Sequence, residues 1–288
     1  MSLAEPALQA PAFTHQRVDG AARVEFNAVS GTSRLADLYQ RAPCRLLFPN
    51  VESTEPPHAV LLTTSGGLTG GDRLDVALRV GPNARATLTT QAAEKIYRAL
   101  PGGGDVDISV KIDVADGAYA EWLAQETIVF DGARLRREFV ADLSAGAALL
   151  ATESIVFGRS AMNETLRTGF VRDRWRIRRD GRLIFADALH LDGDIAALRA
   201  SPFAFGDATA CGTLIYSAHE APRMLDDVRA WSSAHRLVAH ATTRDSLLIV
   251  RFLAAQASDL RAAVISIAGR IRHKAFGLAQ KLPQVWHC

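Results

Sequence analysis

Gly81-Pro82-Asn83-Ala84, Asp116-Gly117-Ala118 and Ala145-Gly146-Ala147 are three turns within one stretch, and each joins two β-like runs. Residues 75–80 enter the first turn and 85–91 leave it. Residues 108–114 and 119–125 flank the second, and 139–143 and 148–153 flank the third. The turn alanines Ala84, Ala118 and Ala147 lie 34 and 29 residues apart. Gln91 and Gln125 each stand seven residues past their alanine; in the third unit Glu153 stands six past and Ser154 seven past. The triplets Lys95-Ile96-Tyr97, Ile128-Val129-Phe130 and Ile155-Val156-Phe157 then follow. Turn chemistry that recurs in this way marks stacked supersecondary units, each a pair of strands about a tight turn. Three units predict a coiled, β-helical-type body of stacked sheets. A plain antiparallel meander has similar spacing and stays open as the alternative.

On the N-terminal side, residues 1–16 read as a loose leader. Residues 18–30 predict a strand with a turn at Gly20. Leu35, Leu38 and Tyr39 predict a short helical turn, and residues 45–49 a strand ending at proline. Residues 59–63 are a buried strand that runs into Gly66-Gly67-Leu68-Thr69-Gly70-Gly71-Asp72-Arg73. On the C-terminal side, residues 166–170, 175–179 and 183–187 are strands separated by turn signals, among them Asp180-Gly181. The alternation Arg174-Trp175-Arg176-Ile177-Arg178 gives one wet basic face. Residues 213–217 predict a strand, and Pro222 suits the first turn of a helix carrying Met224, Leu225, Val228 and Trp231. Two strands, 236–242 and 246–253, come next. Leu260, Val264, Ile267 and Ile271 predict an amphipathic helix over about 258–274, stopped near Gly277. The fold class is mainly β (α+β), with two C-terminal helices on a β body. No Pro/Ser-rich linker divides the chain, so residues 1–288 are expected to form one domain.

The chain has 288 residues, 48% hydrophobic and 22% charged, enough to bury a full core. With 33 basic and 31 acidic side chains the net charge is +2, which gives no electrostatic case for nucleic acid. Cys44, Cys211 and Cys288 are odd in number and far apart, so they form neither a disulfide framework nor a Cys-x-x-Cys site. A reducing compartment follows. The first residues lack a basic n-region and an apolar h-region, and no window reads as a membrane span. The expectation is a soluble, cytoplasmic protein.

The glycine turn fails as a phosphate cradle, because Asp72 stands where the phosphate loop needs lysine, and its spacing misses the dinucleotide fingerprint. It reads instead as a shaped turn presenting Asp72 and Arg73, or as a tight connection between buried strands. No G-x-S-x-G elbow and no His-Glu-x-x-His pair occurs. His235 and His240 lie five apart, and the terminal Trp286-His287-Cys288 offers imidazole, thiol and carboxylate suited to nickel or zinc. The acids are more informative. Glu126, Asp131, Glu153 and Glu164 lie in or beside apolar strands, where a carboxylate costs free energy unless paired or hydrated. Arg159 is the expected partner of Glu153. The alternative is that carboxylates of successive layers line a wet channel and hold a cation weakly. No nucleophile is paired with a base, so catalysis is not supported, although Glu126 and Glu153 are the pair a β-rich glycoside hydrolase would use.

The turn at residues 66–73, followed by Thr89-Thr90-Gln91-Ala92-Ala93-Glu94-Lys95-Ile96-Tyr97-Arg98, resembles the urease accessory protein UreD (UreH) family. Gln125-Glu126-Thr127-Ile128 with Phe130, Glu153 with Gly158-Arg159, Ala161 and Glu164, and the closing Pro283-Gln284-Val285-Trp286 look like further family positions. Gln284 stands where arginine is expected. The resemblance implies a non-enzymatic scaffold or chaperone for GTP-dependent nickel insertion into apo-urease. Its partners would be UreF, UreG recruited through UreF, and the urease subunits. It implies a coiled β fold, with Ni²⁺ as a transient passenger and no tightly bound cofactor. Asp72, Glu126, Asp131, Glu153 and Glu164 are then the candidate path carboxylates. Gly66, Gly67, Gly70, Gly71 and Arg73 would shape the entrance or a partner contact, with Arg159 orienting Glu153. A purely structural adaptor is the remaining alternative.

Overall fold

A computed structural model describes residues 17–159, 162–201 and 203–287. The expected leader, Ala161 and Cys288 lie outside the described residues. β1 (Asp19–Val29) and β2 (Thr32–Arg41) form an antiparallel hairpin. Ser30 and Gly31 turn it with φ of 50° and 75°, the pair of positive angles that matches the twist of a two-residue hairpin. Leu35, Leu38 and Tyr39 therefore lie on a strand, not a helical turn. β2 is a sheet edge whose side chains are almost all exposed, so their spacing reflects no buried face. Gly20 sits inside β1 rather than at a turn. A Cβ there would meet Cys44 Sγ at 2.8 Å and Leu74 at 2.9 Å.

β3 (Cys44–Leu47) pairs antiparallel with β4 (His58–Thr63), and from β4 the chain winds as a coil. Its first turn is β5 (Arg73–Val80), β6 (Arg85–Thr90) and the short β7 (Glu94–Ile96). The second is β8 (Val106–Val114), β9 (Tyr119–Leu123) and β10 (Thr127–Val129). The third is β11 (Arg134–Leu143) and the long β12 (Ala148–Arg159), whose far end serves as the third face. β13 (Glu164–Thr165) folds back on β12, and β14 (Thr168–Arg179) begins another layer. β15 (Arg182–Asp194) reverses through Asp180-Gly181 and leads into α1 (Ile195–Ala200). Then come β16 (Ala210–Ser217), a 3-10 turn at Ala221–Met224, α2 (Leu225–Ser232), β17 (Val238–Arg244), β18 (Leu247–Ala254) and α3 (Ala257–Phe276).

One sheet has seven strands in the order β15-β14-β11-β8-β5-β1-β2; the other runs β17-β18-β16-β12-β9-β6-β4-β3. Strands of successive coil turns pair in parallel, as do β7, β10 and the end of β12. Parallel pairing needs a crossover, so the meander is excluded. The outermost strands of both sheets run antiparallel to their neighbours. Ile96, Val129 and Phe157 share one rung, so the third triplet is slipped by one from its apparent alignment. Residues 166–170 and 175–179 are not separate strands: β14 is continuous from Thr168.

The main core fills the space between the sheets. A second core lies between the other face of the second sheet and the helices, where α3 buries Leu260, Val264, Ile267 and Ile271. Burying each of these side chains contributes about 1.5–3 kcal/mol. The second sheet is thus covered on both faces, and β9 is buried throughout. Arg272 of α3, 1% exposed, donates from Nε to Glu121 Oε1 of β9 at 2.6 Å and ties the helix to that sheet. The seven-stranded sheet keeps a wet outer face. Arg174 and Arg176 meet Glu138 there, and Arg178 meets Asp142. α3 ends where Gly277, at φ 66°, donates its N–H to His273 O at 2.9 Å.

Candidate functional site

Two cavities lie end to end between the sheets. The first, about 210 Å³, opens beside Gly66-Gly67 and the exposed Gln91, Ala92 and Lys95. Leu74 and Val76 of β5, Ile108 and Val110 of β8, and Trp122 of β9 wall it. Glu94 stands at its mouth, taking the Lys95 N–H at 3.1 Å and the Thr63 hydroxyl at 3.3 Å. Burial raises the Glu94 carboxyl above its ordinary pKa against those two donors. The second cavity, about 310 Å³, is lined by Asp173, Trp175, Phe205 and Cys211 and reaches Asp187 and Arg251. Those last two form a 2.7 Å ion pair with side chains 33% and 43% exposed, so this end reaches solvent. Burial pushes the Cys211 thiol up to about 12, which keeps it protonated.

Arg137 and Glu153 line both cavities. Both are 3% exposed. Glu153 Oε1 accepts the Trp122 indole N–H at 3.0 Å, and Oε2 lies 3.2 Å from Arg137 Nε without a hydrogen bond of its own. Arg137 instead grips Asp173 with two bonds, Nε to Oδ1 at 2.9 Å and Nη2 to Oδ2 at 2.8 Å, and gives Nη1 to Thr127 Oγ1 at 2.9 Å. Two buried carboxylates thus share one guanidinium. Burial raises the Glu153 carboxyl to about 7, the Asp173 charge adds to that, and Arg137 and Trp122 oppose it.

The glycine turn forms one rim of the first cavity. Gly67, at φ 146°, lies against the Tyr97 ring, where a Cβ would come within 2.4 Å; Gly70 packs on the Gly104 carbonyl, where a Cβ would come within 2.5 Å. Asp72 closes the turn, taking Val18 N on Oδ1 at 2.9 Å and Thr69 N on Oδ2 at 2.8 Å.

Residues 18–287 match the family model described as the UreD urease accessory protein. The chain belongs to the UreD family. It is 40% identical over 277 residues to the urease accessory protein UreD of Rhodopseudomonas palustris strain HaA2, covering 95% of each chain. It is 39% identical over 276 residues to UreD of Magnetococcus marinus, covering 94% of each. It is 42% identical over 277 residues to UreD of Methylobacterium sp. strain 4-46, covering 94% of this chain and 95% of that one.

In this UreD-family chain the five acids singled out from sequence go to separate places. Of them only Glu153 lines the joined cavities. Glu126 faces α3, where Arg261 Nη1 reaches its Oε2 at 2.9 Å, so it is not brought together with Glu153 as a hydrolase pair would be. Asp131 Oδ1 caps the N–H groups of Arg167 and Thr168, both at 2.9 Å, and Arg98 pairs with its Oδ2 at 3.0 Å. Burial works to raise the Asp131 carboxyl, but those N–H groups and the Arg167 charge outweigh it and hold it below the usual range. Glu164 pairs with Arg159 at 2.7 Å, so the partner of Glu153 is Arg137 and not Arg159. Asp72 serves the turn, and Arg73 is exposed on the outer face of the seven-stranded sheet. Glu94, Arg137, Asp173 and Asp187 were not singled out. Arg137 and Asp173 are direct neighbours on the β11–β14 rungs, a relation the coil repeat, carried one turn further, would have exposed.

The C-terminal Gln284-Val285-Trp286 turn also docks on the family segments. Gln125 Nε2 donates to Val285 O at 3.0 Å, and Arg261 Nη2 to Trp286 O at 2.8 Å. Among the described residues, no group of three or more His, Cys, Asp and Glu side chains is placed to hold a metal ion, and no helix is long and apolar enough to cross a membrane.

Proposed function

We propose that this protein is a non-catalytic maturation factor that hands Ni²⁺ to apo-urease, working in the cytoplasm in a complex with UreF and, through it, the GTPase UreG. Membership of the urease accessory family supports the maturation role. The observation that carries the transfer step is the meeting of two cavities at Glu153, with Glu94 at one mouth and Asp187 at the other. Ni²⁺ is cargo in this reading. Carboxylate oxygens are harder ligands than nickel prefers, so each holds the ion weakly and releases it. The glycine turn shapes the entrance. The phosphate-binding loop is supplied by the GTPase, in keeping with a chain whose own glycine turn carries Asp72 in place of lysine.

The test is Glu153→Ala. The variant assembles with its partners, and the urease matured by it carries little nickel by metal analysis. Wild-type nickel content in that urease would reject the route through Glu153 and leave a structural adaptor.

A further inference from the structure

We infer that Arg137 is the gate of this route: its guanidinium occupies the place between Glu153 and Asp173 that a divalent cation takes in transit. The inference rests on the transfer reading and adds a residue that decides when the ion can pass.

Three observations lead there. Arg137 and Glu153 are the lining residues common to both cavities, so an ion moving from one to the other passes between or beside them. The site carries two carboxylates and one guanidinium, all but closed to solvent. A dication next to a fixed positive charge in a low-dielectric interior is strongly repelled, whereas one that replaces that charge meets two carboxylates. The contacts of Arg137 are also unequal. It holds Asp173 by a two-bond fork and Thr127 by a third bond, while Glu153 Oε2 lies 3.2 Å away with its hydrogen-bonding capacity unused. A buried carboxylate oxygen without a hydrogen bond is costly unless a ligand claims it. A guanidinium that swings out from between them leaves both carboxylates to the ion, which takes over the charge pairing that Arg137 gave them. The ion then touches Glu153 and moves on to the Asp187 end as Arg137 returns. At rest the arginine blocks free cations from the interior.

The experiment is nickel binding by the full chain, with NiCl₂ as the probe and equilibrium dialysis and thermal melting as readouts. Wild type binds nickel only weakly at the junction. Arg137→Gln leaves Glu153 and Asp173 without their cation and binds Ni²⁺ about tenfold more tightly than wild type, or better. Its melting temperature rises with added nickel. Arg137→Gln/Glu153→Gln loses that uptake and that rise. Arg137→Lys keeps the charge and gains no nickel. Should Arg137→Gln fold only poorly, the gate predicts that NiCl₂ restores it and that the double variant does not respond. Nickel uptake by Arg137→Gln no better than wild type, or uptake unchanged in the double variant, overturns the gate. The transfer reading fails separately: urease nickel is then normal in Glu153→Ala, whatever Arg137→Gln binds.

Discussion

Trp286, almost at the end of the chain, donates its indole N–H to the Thr89 hydroxyl 197 residues earlier, at 3.1 Å. The bond seats the C-terminal turn on β6, and Arg261 lies over the same ring at 5.0 Å. Trp286 is 3% exposed. Trp286→Ala removes a buried aromatic side chain together with this bond, and costs about 3–5 kcal/mol. Trp286→Phe keeps most of the packing and costs less. Urea denaturation of the two variants ranks them, and equal midpoints would show that the tail adds nothing to the body.

The glycine turn predicts a local effect of comparable sign. A Cβ at Gly70 would lie 2.5 Å from the Gly104 carbonyl oxygen, which is backbone and cannot swing aside as a side chain could. Gly70→Ala therefore costs about 1–3 kcal/mol through overpacking. The same denaturation experiment measures it, and wild-type stability would mean the two loops separate freely.

Glu153 gives stability a pH dependence of unusual direction. Its carboxyl titrates near 7 in the folded protein, because burial beside Asp173 outweighs the Arg137 and Trp122 contacts. In the unfolded chain it titrates near about 4.3. Between those values the folded state holds the extra proton, so stability falls as the pH rises across that window. The contribution is complete below about 4.3 and gone above about 7. Asp131, whose carboxyl is held below its ordinary range, has the opposite slope at lower pH. The difference between wild type and Glu153→Gln, taken across a pH series, isolates the Glu153 part. A flat difference would place the Glu153 proton elsewhere.

On the proposed route, position relative to the cavities separates carboxylates that would carry nickel from those that hold the fold. Glu94→Gln at the first mouth lowers the nickel content of matured urease and leaves the melting temperature near wild type. Asp131→Ala does the reverse: it removes the oxygen that caps two backbone N–H groups, so it destabilises by about 0.5–2 kcal/mol and leaves the nickel content of the urease unchanged. Metal analysis of urease matured with each variant decides between them.

The coil was legible because its signals are local. Each turn sequence, such as Asn83-Ala84 or Gly117-Ala118, marks a corner within a few residues, and the strands beside it fell close to where β5, β6, β8 and β9 lie. The long helix was equally readable from one apolar face and a terminal glycine. β2 was not readable, because an edge strand with solvent on both faces leaves no alternation in its residues. The site was half legible. Thr89, Leu123 and Thr152 share a rung, so Glu153 is level with Ala124, not with Gln125 or Glu126. The corner from Ala124 to Thr127 then holds one residue more than the run from Glu153 to Ile155, so Glu153 joins Ala124 in the cavity wall while Glu126 faces Arg261. Arg137 stands between Arg136 and Glu138, and Asp173 between Arg172 and Arg174, so charge alone does not mark them out, and only the layer stacking shows that they face inward together.

The reversed strands that border each sheet set a limit the repeating rungs could not set for themselves. A ladder of like rungs can always accept another, whether from its own chain or from a neighbour's, and that is how fibres grow. Here β2, β3, β15 and β17 run against their neighbours and finish both ladders. The coil therefore stops after a fixed number of turns, and each border offers a reversed strand in place of a further parallel rung.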